Sequence, residues 1–143
     1  MFGRRKRLIT RLLIAEDEPL VAFDNEHHLA DEGYRIVATV DRVADALSVI
    51  GDGAEIDLVL ADISLADGSG IDIARAAHAR GIAVVFVTGD CSAEGRPFAM
   101  GCLAKPYSPR DLVAAIAAVD GAMQGAARPR RLPAGFTLFD DAG

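Results

Sequence analysis

A chain of 143 residues that is 51% hydrophobic and 25% charged has the size and balance of one folded domain with a real core. Its net charge of -6 excludes a dedicated nucleic-acid binder, which needs a basic face to meet phosphates. No apolar run approaches the roughly 20 residues of a spanning helix, so no membrane insertion is expected.

The chain opens on a basic tail over residues 1–9, Arg4-Arg5-Lys6-Arg7. Arg11 and Glu16-Asp17-Glu18 break up the apolar segment after it, which argues against an export signal and for a cytoplasmic protein. Residues 12–15 form the first strand candidate and run into Glu16-Asp17. Pro19 opens a helix that Gly33 closes; within it Leu20, Phe23, His27 and Ala30 show heptad-like spacing, as a core edge or a surface. Residues 35–40 are a second strand. Asp41 is placed to cap a helix with Val43, Ala46, Leu47 and Ile50 on one face.

The run 57–61 is a third strand, and Asp62 ends it. Asp67-Gly68-Ser69-Gly70 then supplies a turn, with Ser69 able to cap a helix over 71–80 that stops at Gly81. A fourth strand, 82–87, leads to Thr88. Between Asp90 and Gly101, the residues Gly95 and Pro97 leave room for a short helix only. A short strand around 102–104 precedes Lys105-Pro106. Ser108-Pro109-Arg110-Asp111 then starts the last helix, with Leu112, Ile116, Val119 and Met123 as its apolar stripe. Residues 123–143 read as a tail, disordered or packed on the domain, in which Phe136, Leu138 and Phe139 are a small apolar cluster or a docking peptide. Cys91 and Cys102 have no metal-ligand spacing and make no disulfide framework, so both are expected as reduced thiols.

Strands apolar on consecutive residues are covered on both faces, as in parallel sheets. The alternation is therefore (βα)5, a doubly wound parallel five-stranded α/β sheet with right-handed crossovers. Such sheets bind ligands beyond the C-terminal strand ends, where strand order reverses. Glu16, Asp17, Asp62, Thr88 and Lys105 all fall there. Three carboxylates in one pocket are costly unless they share a cation. Glu16, Asp17 and Asp62, with the backbone carbonyl of Ser64, offer the hard oxygens that suit Mg²⁺ or Mn²⁺. Taken singly, each of these residues has a plain alternative: a helix cap for Glu16 or Asp17, a turn for Asp62, a solvated charge for Lys105.

Taken in order, Glu16-Asp17, Asp62, Thr88 and Lys105-Pro106 resemble the receiver domain of two-component response regulators, over roughly residues 10–122. The resemblance implies the flavodoxin-like receiver fold and a phosphorylatable Asp62. The phosphoryl donor would be a sensor histidine kinase or a histidine phosphotransfer protein. Thr88 and Lys105 would stabilise the phosphoryl group, and a cis bond before Pro106 would aim Lys105 inward. Leu20, Val21, Pro106 and Tyr107 would face the kinase, and the signal would pass to a further protein, with no appended DNA-binding domain. The segment Phe86-Val87-Thr88-Gly89-Asp90-Cys91 is similar to the Phe-Ala-Thr-Gly-x-Tyr signature of a subgroup of single-domain regulators, with Val87 for Ala and Cys91 for Tyr.

One departure from the receiver pattern bears on mechanism. Receivers place an aromatic switch residue three positions before the lysine, and here that position is Cys102. Together with the Gly/Pro content of 89–101, this points to ordering of that loop as the activating step. The alternative is a pseudo-receiver, an interaction module that signals without phosphate. Two enzyme readings fit poorly: a flavodoxin needs a Ser/Thr/Gly-rich phosphate loop where Glu16-Asp17-Glu18 stands, and an aspartate-nucleophile phosphatase needs a second Asp where Ser64 stands.

Overall fold

The computed structural model describes residues 6–91, 93–127 and 129–139. Arg4 and Arg5 of the basic tail, Arg128, and Asp140-Asp141 lie outside them. Five parallel strands occupy the expected stretches: β1 (Arg11–Ala15), β2 (Arg35–Val40), β3 (Leu58–Ala61), β4 (Ala83–Thr88) and β5 (Gly101–Ala104). A sixth, β6 (Phe136–Leu138), pairs antiparallel with β5, giving the order β2-β1-β3-β4-β5-β6. Helices α1 (Pro19–Asp31), α2 (Val43–Gly51) and α3 (Gly70–Ala79) fill the first three crossovers, a 3-10 helix at Ala93–Phe98 the fourth, and α4 (Pro109–Met123) follows β5. No described helix is long and apolar enough to cross a membrane.

Side-chain alternation along the strands divides the core into two layers. Leu12, Ile14, Leu58, Leu60, Val85 and Val87 face one side, against Leu29 of α1 and Leu112, Ile116 and Val119 of α4. Leu13, Ala15, Val59, Ala61, Val84 and Phe86 face the other, against Ala46 and Ile50 of α2 and Ile73, Ala74 and Ala77 of α3. Each fully buried Leu, Ile or Phe contributes about 1.5–3 kcal/mol. This two-sided burial is why the strands are apolar on consecutive residues.

Two local expectations are corrected, and a third is resolved between its alternatives. Asp41 does not cap α2: the N-cap is Arg42, without a side-chain bond. Instead the Asp67 carboxylate, from the turn after β3, accepts the Val43 and Ala44 N–H groups at 2.6 and 3.0 Å. A carboxylate brought in from another loop outcompetes the local one because its two oxygens meet two of the orphan donors of the first turn. Of the two readings of the Leu20 and Phe23 spacing, the surface one holds, since they are 79% and 64% exposed, and the buried face of α1 is Ala22, Asn25 and Leu29.

The other correction concerns the cysteines. Cys91 and Cys102 are joined by a disulfide, with Cα atoms 6.1 Å apart. After Thr88 the chain folds back over the α3 side of the sheet, where Cys102 packs beside Phe86. Strand spacing and this reversal bring the two thiols together although they lie eleven positions apart.

The tail supplies the sixth strand because β5 leaves an apolar edge unpaired. Phe136 and Leu138 are buried, and the pairing is extended by Ala104 N–H to the Gly135 carbonyl and Phe139 N–H to the Met100 carbonyl, at 2.9 and 2.8 Å. Gly101 permits this approach: a Cβ there would lie 2.7 Å from the Thr137 carbonyl oxygen and 2.8 Å from the Phe136 ring.

Candidate functional site

Strand order reverses between β1 and β3, so their C-terminal ends lie side by side. The Asp62 N–H donates to the Ala15 carbonyl at 3.0 Å, and the Glu16 N–H donates to the Val40 carbonyl at 2.9 Å. These bonds continue the ladders one residue past the strands and fix where both acids stand. Thr88 ends β4, and its carbonyl accepts the Lys105 N–H at 2.8 Å, which ties the lysine to the same edge. The Lys105–Pro106 bond is cis. Gly70, at the start of α3, has no room for a side chain, since a Cβ would collide with the Asp62 carbonyl oxygen. Ser69 caps that helix through its hydroxyl, which accepts the Ile71 N–H at 3.1 Å.

Glu16, Asp62 and Thr88 are 2%, 6% and 5% exposed. Asp17 is half-buried, and carboxylate oxygens of Glu16, Asp17 and Asp62 lie within 4.8 Å of one another. Lys105 Nζ donates to Asp62 Oδ2 at 2.8 Å and to Glu18 Oε2 at 3.0 Å. It also lies 2.9 Å from Glu16 Oε1, an ionic contact off the hydrogen-bond direction. Glu16 Oε1 is the buried side-chain oxygen that has no hydrogen-bond partner among the described residues. Asp62 Oδ1 accepts the Ser64 N–H at 3.1 Å; Ser64 itself sits in a two-residue hairpin strand paired with Ser69.

The electrostatics follow from this packing. Burial pushes the Glu16 carboxyl above its usual range, and Lys105 and the Glu18 N–H offset that only in part. Burial also works against the Lys105 charge, but its contacts with the Asp62, Glu16 and Glu18 carboxylates outweigh it and hold the ammonium well above its ordinary value. One lysine against the carboxylates of Glu16, Asp17, Glu18 and Asp62 leaves an excess of negative charge. Hard oxygen donors gathered in a buried pocket and this excess fit Mg²⁺ or Mn²⁺.

Sequence reasoning overlooked Glu18 as a site residue. It lies directly after the acidic pair at the N-cap of α1, and only the return of β5 shows that it reaches Lys105. It also overlooked Asn25, a buried polar residue of α1 whose Nδ2 donates to the Tyr107 hydroxyl at 2.8 Å. That bond spans a groove of about 450 Å³ beside the acids, lined by Glu18, Val21, Asn25, Lys105, Pro106 and Tyr107. Burial raises the Tyr107 phenol above its usual value, with Asn25 working the other way. Leu20 lies outside this groove, exposed on α1. Cys102 is 1% exposed and lies on the α3 side of the sheet.

A family model for the response regulator receiver domain matches residues 12–117. The regulator PhyR of Methylorubrum extorquens is 32% identical over 114 residues, covering 76% of this chain and 43% of PhyR. The transcriptional regulatory protein PdtaR of Mycobacterium tuberculosis is 36% identical over 115 residues, covering 74% of this chain and 54% of PdtaR. The chain thus spans about half the length of these curated relatives. Among solved structures, a response regulator receiver protein from Sinorhizobium medicae superposes with a TM-score of 0.70 at 27% identity, covering 80% of this chain and 97% of that one. PhyR from Brucella abortus does so with a TM-score of 0.67 at 32% identity, covering 84% of this chain and 51% of that one.

Proposed function

This chain belongs to the response regulator receiver domain family, a family of signalling domains rather than classical enzymes, and on that footing we propose that Asp62 accepts a phosphoryl group. The donor would be a histidine kinase or a histidine phosphotransfer protein in the cytoplasm. The observation that carries the reading is the contact of Lys105 Nζ with Asp62 at 2.8 Å inside a cluster of three carboxylates. Asp62 Oδ2 is the nucleophile, forming a bond to phosphorus as the donor imidazole leaves. Glu16, Asp17 and Asp62, with the Ser64 carbonyl, would hold a divalent cation, and that cation supplies positive charge to the transferring group. Lys105 moves from its carboxylate partners to a phosphoryl oxygen, and Glu18, which is exposed, gives up its share of the ammonium without a burial cost. Thr88 donates its hydroxyl to another phosphoryl oxygen. The groove between α1 and Pro106-Tyr107 receives the donor protein, which also meets Leu20, exposed on α1 outside the groove. The phosphorylated form passes the signal to a further protein or relays the phosphoryl group.

Intact-mass measurement after treatment with acetyl phosphate and Mg²⁺ tests this. One adduct that requires the metal and disappears in Asp62→Asn is expected. The absence of an adduct, with a control receiver modified in parallel and with the cognate kinase also inactive, would turn the reading to a module that signals without phosphate.

A further inference from the structure

The Cys91–Cys102 bond brackets the two strand ends that carry Thr88 and Lys105: Cys91 comes three residues after Thr88, and Cys102 three residues before Lys105. Cys102 is buried on β5, in register with Phe86 of β4. Cys91 is exposed at the exit from β4. Between them, the 3-10 helix Ala93–Phe98 lies against the sheet, with Gly95 so close to Phe86 that a Cβ would collide with the ring. Three residues of chain extend at most about 10 Å, so a displacement of Thr88 is felt directly at Cys91. With the bond intact, Cys91 is pinned to a buried strand position and cannot follow. With it broken, a segment rich in Gly and Pro is released at its N-terminal end.

We infer that Cys91 and Cys102 form a reversible thiol–disulfide site whose oxidation state decides whether segment 89–101 responds to phosphorylation of Asp62. The regulatory half of this inference rests on the receiver function proposed above. In an intracellular protein a disulfide is usually transient, as a catalytic or sensing group, and here it occupies the place where receivers carry their switch aromatic. The chemical partner is a dithiol, small or protein-borne. Its first thiolate attacks the exposed Cys91 Sγ, the Cys91–Cys102 bond breaks, and the electron pair leaves on Cys102 Sγ, which takes up a proton in its apolar surroundings. The second thiolate attacks the mixed disulfide, releases Cys91 as a thiol and closes the reductant's own disulfide. Two electrons and two protons pass to the cysteines. Oxidation is the reverse exchange with a disulfide as oxidant.

The test uses the full chain, one portion held in oxidised glutathione and the other in dithiothreitol, both then exposed to acetyl phosphate and Mg²⁺. Alkylation after denaturation counts thiols, intact mass reads the Asp62 adduct, and hydrogen exchange reads segment 89–101. The oxidised chain is expected to take no alkyl group and the reduced chain two. Both form the adduct. Phosphorylation then slows exchange in 89–101 on the order of tenfold in the reduced chain and little in the oxidised one. Cys91→Ser behaves as the reduced form in either buffer. Two alkylatable thiols in oxidised glutathione overturn the inference, as does an equal exchange response in both redox states. No adduct in either state removes the receiver function itself, and the regulation with it, while the thiol count still reports on the bond.

Discussion

The two ends of the sheet both carry buried acids, and they treat them in opposite ways. At the N-terminal end, Asp57 accepts the Thr10 N–H, the Thr10 hydroxyl and the Arg11 N–H at 3.0, 2.9 and 2.9 Å. Burial would raise its carboxyl, but those donors outweigh it and hold the group below the usual range. Asp120, 5% exposed, accepts the Leu8 and Ile9 N–H groups at 3.0 and 2.9 Å and so fastens the N-terminal segment to α4. At the C-terminal end, Glu16 is shifted the other way and keeps an oxygen without a hydrogen-bond partner. Acids that serve architecture are saturated with donors from their own chain. Those at the strand reversal are left short of positive charge, and that shortage is what a cation and a phosphoryl-transfer site need.

Removing the one lysine from the charge-deficient end should have the largest effect. Lys105→Ala is expected to cost about 2–3 kcal/mol in urea unfolding with a chelator present, once the partial exposure of the ammonium is discounted. Added Mg²⁺ should then recover more stability in the variant than it adds to the wild type. Equal increments would show that the three carboxylates do not share a cation. Asp120→Ala, at the saturated end, should cost about 2 kcal/mol by leaving two backbone donors unmet, with faster amide exchange at Leu8 and Ile9. Restoration of its stability by Mg²⁺ would erase the distinction between the ends.

Asp57→Asn is the mildest and sharpens the comparison through pH. A carboxyl held below its usual value stabilises the fold fully above the unfolded pKa of about 4, and that contribution is lost as pH falls through the lower, folded value. The variant should therefore be less stable by about 1 kcal/mol at neutral pH. The gap in thermal or urea unfolding should close on acidification below pH 4. A gap that widened instead would mean that Asp57 is not held by its backbone donors.

Much of the site was legible because parallel strands announce their ends. An apolar run can stop only where the chain leaves the sheet, so Glu16-Asp17, Asp62, Thr88 and Lys105 could be placed on one edge without coordinates. The caps Ser69 and Ser108 were legible for a similar reason, since each acts on its own helix, within three residues. What escaped depends on distant parts of the chain. Asp67 reaches α2 from another loop, so proximity in sequence pointed to Asp41. Glu18 reaches Lys105 only after β5 has crossed the sheet. The cysteine pair lacked any signature because a spacing of eleven positions with a reversal has no period, and the expected compartment argued for thiols. The apolar cluster Phe136, Leu138 and Phe139 was visible, but a strand of three residues becomes one only against an edge that the rest of the fold provides.

That short strand has a colloidal consequence. Without it, β5 would present the backbone groups of an apolar segment, Gly-Cys-Leu-Ala, as a template on which a strand from another molecule could add. Covering it with β6 replaces an apolar rim by one of three residues whose middle member, Thr137, is exposed and polar, too brief and too hydrophilic to propagate a sheet between molecules. The chain therefore carries its own protection against aggregation at the flank where its sheet would otherwise be open.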